Sequence, residues 1–352
     1  MSSSLGGQRS LKRAAATGIV AIALGAAATS ACAGQGPGGG GGGATTTTTV
    51  DPDAPHGEFS VLSYNVAGLP QEISGVNPAE HIPLISPLLD EYDVVMTQED
   101  FDWWVPALDN LDFVHYHERL RAEATHEHRS GRHPGPEAAG LDPATRPTLL
   151  VGDGLGFLSR FPFVSRQPLD DTVRRSWSGC FGGLDTSDGG AGDCLAMKGF
   201  AMVRLALQPG VSVDLYTLHG EAGGTARDQE LQAADFDQLA DYIDEHSAGH
   251  AVILGGDTNL HTHSDHPDAS GGADTEIWDD FLERTGLTDT CDALDCEETD
   301  SIDKIAVRDG GGVTLTPTSH EFPRERFRDA DGEDLSDHPP LVVEIEWVAE
   351  SS

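Results

Sequence analysis

The stretch Val252-Ile253-Leu254-Gly255-Gly256-Asp257-Thr258-Asn259 decides how this chain is read. Its first three residues form a short apolar run, the pattern of a strand buried on both faces. The segment before it, Ala226 to His246, sets Leu231, Phe236, Leu239, Ala240 and Ile243 in a helical stripe that belongs to a core. Two glycines then let the backbone turn and approach something closely. Asp257 and Asn259 are two apart, so both face one side just past the strand end. A carboxylate and an amide there suit chemistry on a phosphate or a metal. Gly-Gly-Asp-Thr-Asn is also good turn chemistry, so its partners elsewhere in the chain decide the matter.

Several such partners exist. Ser63-Tyr64-Asn65 ends the strand predicted over Phe59 to Asn65, and Gln98-Glu99 ends the one over Val94 to Gln98. Thr217-Leu218-His219 ends a strand over Val211 to His219, and Asp303 opens one over Ile302 to Val307. Ser336-Asp337-His338 precedes the last, Leu341 to Trp347. Leu155 to Ser159 and Gly199 to Leu207 read as further strands. Pro78 to Asp90 reads as a helix interrupted by prolines, and Ile277 to Thr285 as a short helix closed by Gly286. His115 to Pro147 is rich in His, Pro and Gly and reads as a long, solvated surface loop, with His126, His128 and His133 unligated. There is no internal repeat. Strands with interspersed helices imply one α/β domain with large sheets.

Gly-Asp-x-Asn, Gln-Glu and Ser-Asp-His, in this order and spacing, resemble the endonuclease/exonuclease/phosphatase superfamily over Phe59 to Trp347. The run Tyr64 to Pro70 and the region around Cys180, Lys198 and Gly199 look closest to its sphingomyelinase-like side. The resemblance implies a four-layer α/β sandwich with two packed mixed β-sheets and a site at one edge. It implies a metal-dependent phosphoric ester hydrolase, a phosphodiesterase, using Mg²⁺ or Mn²⁺. Glu99 would hold the metal with Asn65 nearby, a hydrated hard cation needing only one or two carboxylates. Asp337 would serve that metal or a second cation. Asp257 would orient or deprotonate the attacking water. Asn259 and His219 would contact the phosphate. His338 would stabilise the phosphorane-like charge or act as acid–base group, with Asp303 on its other nitrogen. The chain departs from the family where Thr-His-Leu is usual and Thr217-Leu218-His219 stands. A one-residue slip turns a side chain to the opposite face, so a bulge is expected there.

Composition narrows the substrate. The chain carries 59 acidic and 21 basic residues in 352. Residues 1–32 hold Arg9, Lys12 and Arg13 and no acid, so the remainder is near −41. Such a surface repels polyanions, which argues against a stable nucleic-acid complex. It is also what adaptation to salt would produce. A phosphoester substrate such as a membrane phospholipid head group is expected. An extracellular nuclease, or a nucleotide or inositol phosphate phosphatase, is the alternative. An inactive cell-surface binding module is the alternative of another class, and the presence of Asn65, Glu99, Asp257, Asn259, Asp303 and His338 argues against it. Trp103 and Trp104 are either packing residues or bilayer contacts. A monomer is expected.

Residues 1–32 read as a secretory signal, with a basic start and an apolar core from Ala14 to Ala28 too short to span a bilayer. Cys32 would be the lipidated first residue of an envelope lipoprotein, although Thr29 stands where leucine is usual. An ordinary cleavage site at Ala31-Cys32-Ala33 is the alternative. Residues 33–57, with Gly38 to Gly43 and Thr45 to Thr49, form a flexible tether ahead of a catalytic domain over 58–349. An exported chain keeps disulfides. Local pairing joins Cys180 to Cys194 and Cys291 to Cys296. A zinc site is the rival use of these cysteines, but no Cys-x-x-Cys pair exists.

Overall fold

The computed structural model describes residues 54–350, except 104–105, 143, 145–148, 150, 165–171, 183–191, 267–268 and 270. The signal, Cys32 and nearly all of the tether lie outside the described residues, as does Trp104. Among the described residues, twelve strands form two six-stranded sheets. In the first sheet the order is β11 (Val313–Glu321), β12 (Leu341–Ala349), β1 (His56–Asn65), β2 (Val94–Gln98), β4 (Gly156–Ser159), β3 (His128–Arg129). In the second it is β5 (Val173–Ser176), β6 (Gly199–Gln208), β7 (Val211–His219), β8 (Val252–Asp257), β10 (Asp303–Arg308), β9 (Thr288–Asp289). Each sheet is antiparallel except for one central parallel pair, β1–β2 in the first and β7–β8 in the second. The sheets therefore share one strand plan, although the sequence shows no repeat.

Parallel pairs need crossover helices. Helix α1 (Pro78–Leu88) joins β1 to β2, and α3 (Ala226–His246) joins β7 to β8. Pro78 sits in the first turn of α1, where its missing N–H costs nothing. Thr225 caps α3, and the Asp228 carboxylate accepts a hydrogen bond from the Thr225 amide, closing a capping box. Helix α4 (Ala273–Thr285) ends at Gly286, left-handed with φ 66°. It begins about one turn earlier than the apolar pattern shows, after Gly272, which offers no side-chain cap to mark the start.

Three apolar clusters define four layers. Phe59, Val61, Met96, Phe157, Val203, Leu215, Ile253 and Ile345 fill the space between the sheets. Leu62, Tyr64 and Val95 pack outward against Ile82 and Ile85 of α1. Met202, Tyr216, Leu218 and Leu254 pack outward against Phe236, Leu239 and Ile243 of α3 and Trp278 of α4. The alternation of inner and outer residues along β1 and β7 is what lets one strand serve two cores.

The stretch 115–147 differs from the solvated loop its composition suggests. It contains a short helix, α2 (Tyr116–Leu120), and β3 at the edge of the first sheet. His117, His126 and His133 are buried. His126 Nε2 bonds the Tyr92 carbonyl at 2.9 Å, and His133 lies 3.6 Å from Asp153. Trp103 packs edge-on against Phe113, with 4.6 Å between ring centroids, and so is a packing residue. No helix among the described residues is long and apolar enough to cross a membrane.

Candidate active site

The carboxyl ends of the two parallel pairs meet at one edge, the usual place for a ligand site in such sheets. The first sheet contributes Asn65 from the end of β1, Glu99 just past β2, and His338 just before β12. The second contributes His219 from the end of β7, Asp257 from the end of β8, Asn259 just beyond, and Asp303 at the start of β10. Register aligns the latter group: His219 and Asp303 both pair with Asp257, on its parallel and antiparallel sides.

Asp257 is the hub. Its Oδ2 accepts from Asn65 Nδ2 at 3.0 Å and lies 3.3 Å from His219 Nε2 and 3.7 Å from His338 Nε2. Its Oδ1 accepts the Asn259 amide at 3.0 Å, forming a turn around the carboxylate. Burial works against the Asp257 charge, but His338 and Lys198, with the hydrogen bond from Asn65, outweigh it and hold the carboxyl below its ordinary range. His338 Nδ1 meets Asp303 Oδ2 at 2.9 Å. Burial opposes the imidazolium, yet the Asp303 and Asp257 carboxylates hold its pKa well above that of ordinary histidine. His219 is the opposite case. Burial, with Lys198 close by, pushes it down to about 3, so it is neutral.

Glu99 sits in the left-handed region, with φ 53°, as does Asn259. Asn tolerates this conformation, whereas for Glu it is a strained placement of the kind found at functional sites. The strained turn has a close neighbour, since a Cβ on Gly68 would meet the Glu99 carbonyl oxygen at 2.2 Å. Glu99 receives one hydrogen bond among the described residues, from Asn65 Nδ2 at 3.3 Å, and burial pushes it up to about 7. A carboxylate so placed, next to an amide and with no cationic side chain bonded to it, fits a hard divalent cation. Asp337 is exposed at the rim, near enough to raise Glu99 further. Asp257, Asp303 and His338 also lie within 4.8 Å of one another, a spacing a metal could use.

Every residue assigned to the site from the sequence is at this edge. Asn259 Nδ2 is already committed to the Gly220 carbonyl at 3.1 Å, which fixes the loop. The bulge expected at Thr217-Leu218-His219 is absent: β7 runs in unbroken register against β8. Thr217 and His219 share the inner face, and Leu218 points to the outer core. His219 thus faces Asp257 by simple alternation. Thr217 Oγ1 accepts from Gln98 Nε2 at 2.9 Å, tying the two sheets together behind the site.

Sequence reasoning passed over some supports. Lys198 is buried, with Nζ 2.6 Å from Asp193 and 3.2 Å from the Gly220 carbonyl. Burial opposes its charge, but Asp193 wins and raises it. The signal was available: beyond residue 32 the only lysines are Lys198 and Lys304, and both are buried. Trp177 Nε1 holds the His219 carbonyl at 2.8 Å, and Ser336 Oγ holds the Asn65 carbonyl at 2.7 Å. The cysteines pair locally as expected, Cys180 with Cys194 and Cys291 with Cys296.

The model of the Endonuclease/Exonuclease/phosphatase family matches residues 62–338. A sphingomyelinase of Mycobacterium tuberculosis is 32% identical over 323 residues, covering 85% of this chain and 55% of its own. The chain thus spans about half the length of the curated relatives it matches. Sphingomyelinase C from Streptomyces griseocarneus superposes with a TM-score of 0.52 at 17% identity, over 84% of this chain and all of that one. A beta toxin variant from Staphylococcus aureus, solved with bound magnesium ions, gives 0.52 at 15% identity over 84% of this chain and all of that one. These two likenesses establish the sandwich fold. By sequence, the chain belongs to the Endonuclease/Exonuclease/phosphatase family.

Proposed function

We propose that the protein is an exported, Mg²⁺-dependent phosphodiesterase that cleaves the head group from a sphingomyelin-like phospholipid. The observation that carries the reading is the convergence of Glu99, Asn65, Asp257 and the His338–Asp303 pair on one sheet edge. Similarity to a sphingomyelinase over most of this chain supports the lipid substrate. An acidic surface favours a zwitterionic head group over a polyanion. The two disulfides support export.

Glu99 and Asn65 would hold the cation, with Asp337 at the rim. The chemistry such a cation supplies when bound is charge neutralisation at a phosphoryl oxygen. Asp257 is ionised and bonded on several sides, so it accepts a hydrogen bond from the attacking water and aligns it. His338 is cationic, so it serves as charge stabiliser and proton donor rather than as base. Asp303 keeps it so. Neutral His219 contributes an orienting ring beside Asp257.

The test is hydrolysis by the purified protein of sphingomyelin, phosphatidylcholine, phosphatidylinositol phosphates, DNA and nucleotides, each with Mg²⁺ and with chelator. Release of phosphocholine from sphingomyelin, abolished by chelator, is expected. Preference for DNA or nucleotides would overturn the substrate. No turnover of any substrate would move the inactive binding module ahead.

A further inference from the structure

We propose that Cys291, Cys296 and His320 form a second metal site, for a thiophilic divalent ion such as Zn²⁺, once the Cys291–Cys296 disulfide is reduced. One ligand atom from each of the three residues lies within 4.8 Å of the others. Two thiolates and an imidazole are a usual ligand set for Zn²⁺, with water or a carboxylate as the fourth ligand. Cys291 and His320 line a small pocket that also reaches Asp303, and the cluster uses a different kind of donor from the Glu99 edge.

The imidazole is prepared for this role. Thr290 Oγ1 donates to the Ile305 carbonyl at 2.8 Å, so its single hydrogen is committed. The same oxygen lies 3.0 Å from His320 Nδ1 and can only accept there. Nδ1 therefore carries the hydrogen, and Nε2 keeps the lone pair. An oriented second nitrogen of this kind is what metal-binding histidines show. Burial also lowers His320, keeping the ring neutral.

The charged groups facing the cluster leave room for a cation. Asp289 holds Trp278 Nε1 and the Cys291 amide, Glu298 is paired with Arg324, and Lys304 Nζ is turned onto Thr262 Oγ1 at 2.8 Å. The topology gives the site a consequence. The disulfide spans a sequence separation of 5 and closes only a local turn. Cys291 lies on α5 (Thr290–Ala293), next to β9 at the edge of the second sheet, whereas His320 lies on β11 at the edge of the first. Metal ligation would join the two sheets, which the disulfide does not.

The chemistry balances with a phosphine as reductant. The phosphine takes oxygen from water and becomes its oxide, two electrons cleave the S–S bond, and two protons complete the thiols. Metal binding then releases both protons. The test titrates Co²⁺ into the full chain, oxidised and phosphine-reduced, and into a phosphine-reduced Cys180→Ser/Cys194→Ser variant, whose bands should match those of the reduced wild type. The reduced protein should show thiolate-to-metal absorption with the visible bands of a four-coordinate site, saturating at one equivalent. The oxidised protein should show neither. An oxygen-ligated ion at Glu99 gives no thiolate absorption. His320→Gln, which keeps its disulfide and can be checked for folding when oxidised, should weaken binding about tenfold or more. Zn²⁺ should displace Co²⁺ and raise the unfolding temperature of the reduced wild type more than that of reduced His320→Gln. Absence of the bands on reduction, or a titration unmoved by His320→Gln, overturns the proposal.

Discussion

Replacing Asp303 by Asn tests the electrostatic core of the site. In the wild type, His338 Nδ1 donates to Asp303 Oδ2 at 2.9 Å, while Asp257 stands 3.7 Å from Nε2. The Asn oxygen can still accept from Nδ1, so geometry survives and the negative charge is lost. Hydrogen bonds to charged groups are worth about 1.5–3 kcal/mol. About 1.4 kcal/mol is tenfold in rate, so kcat should fall ~10–100-fold near neutral pH. The pH profile should move as well. Asp303 is the largest influence raising His338, and Asp257 remains to hold part of the shift. The imidazolium in the variant therefore deprotonates at lower pH. Activity that needs the charged ring is lost on the alkaline side, so the basic limb of kcat moves toward acid. The assay is kcat against pH for both proteins at saturating Mg²⁺, with melting curves to show that the variant is folded. An unchanged basic limb would refute the charge argument even if kcat fell, because a spacer role alone would leave the limb in place.

Glu99→Gln should raise the Mg²⁺ concentration needed for half-maximal activity, and added Mg²⁺ should restore part of the rate; loss of activity that Mg²⁺ cannot touch would remove Glu99 from cation binding. Gly256→Ala should destabilise the fold, since a Cβ there would meet Leu218 O at 2.2 Å and Leu218 N at 2.8 Å across the β7–β8 pair. Forcing those strands apart should cost about 1–3 kcal/mol, read as several degrees in a thermal melt; an unchanged melt would show that the pair yields freely. Replacing both Cys180 and Cys194 by Ser should cost up to about 3 kcal/mol on the loop-entropy model, because the bridge closes a separation of 14 residues; a non-reduced peptide map showing crossed pairing would refute the bridge itself.

The site was legible because each of its members stands at a strand end, where apolar alternation stops and one polar residue begins. Val252 to Leu254 needed no structure to be read as a buried strand, and Asp257 followed from it. What escaped notice followed other rules. β11 alternates over Val313 to Thr316, but Pro317 and a register shift between Pro317 and Ser319 interrupt the pattern. Proline is acceptable there because β11 is an edge strand, which the sequence does not announce. The helix and strand within 115–147 are short, and their histidines are polar yet buried by long-range partners such as Tyr92 and Asp153. No local pattern encodes partners so far away along the chain.

The reading of Thr217-Leu218-His219 shows how a physical rule corrects a likeness. Aligned to the family's Thr-His-Leu, His219 falls one place late and would need a bulge. Taken on alternation alone, Thr217 and His219 share a face, and Leu218 is the apolar residue that the outer core requires. The uninterrupted register with β8 follows the second account. The same alternation gives β7 its second task, because Thr217 meets Gln98 from the other sheet two residues below the site. The inner face of β7 therefore clamps the sheets with one side chain and orients the hub carboxylate with the next. Moving His219 back to position 218 would send it into the core beside Tyr216 and Leu254 and leave Asp257 without its neutral neighbour.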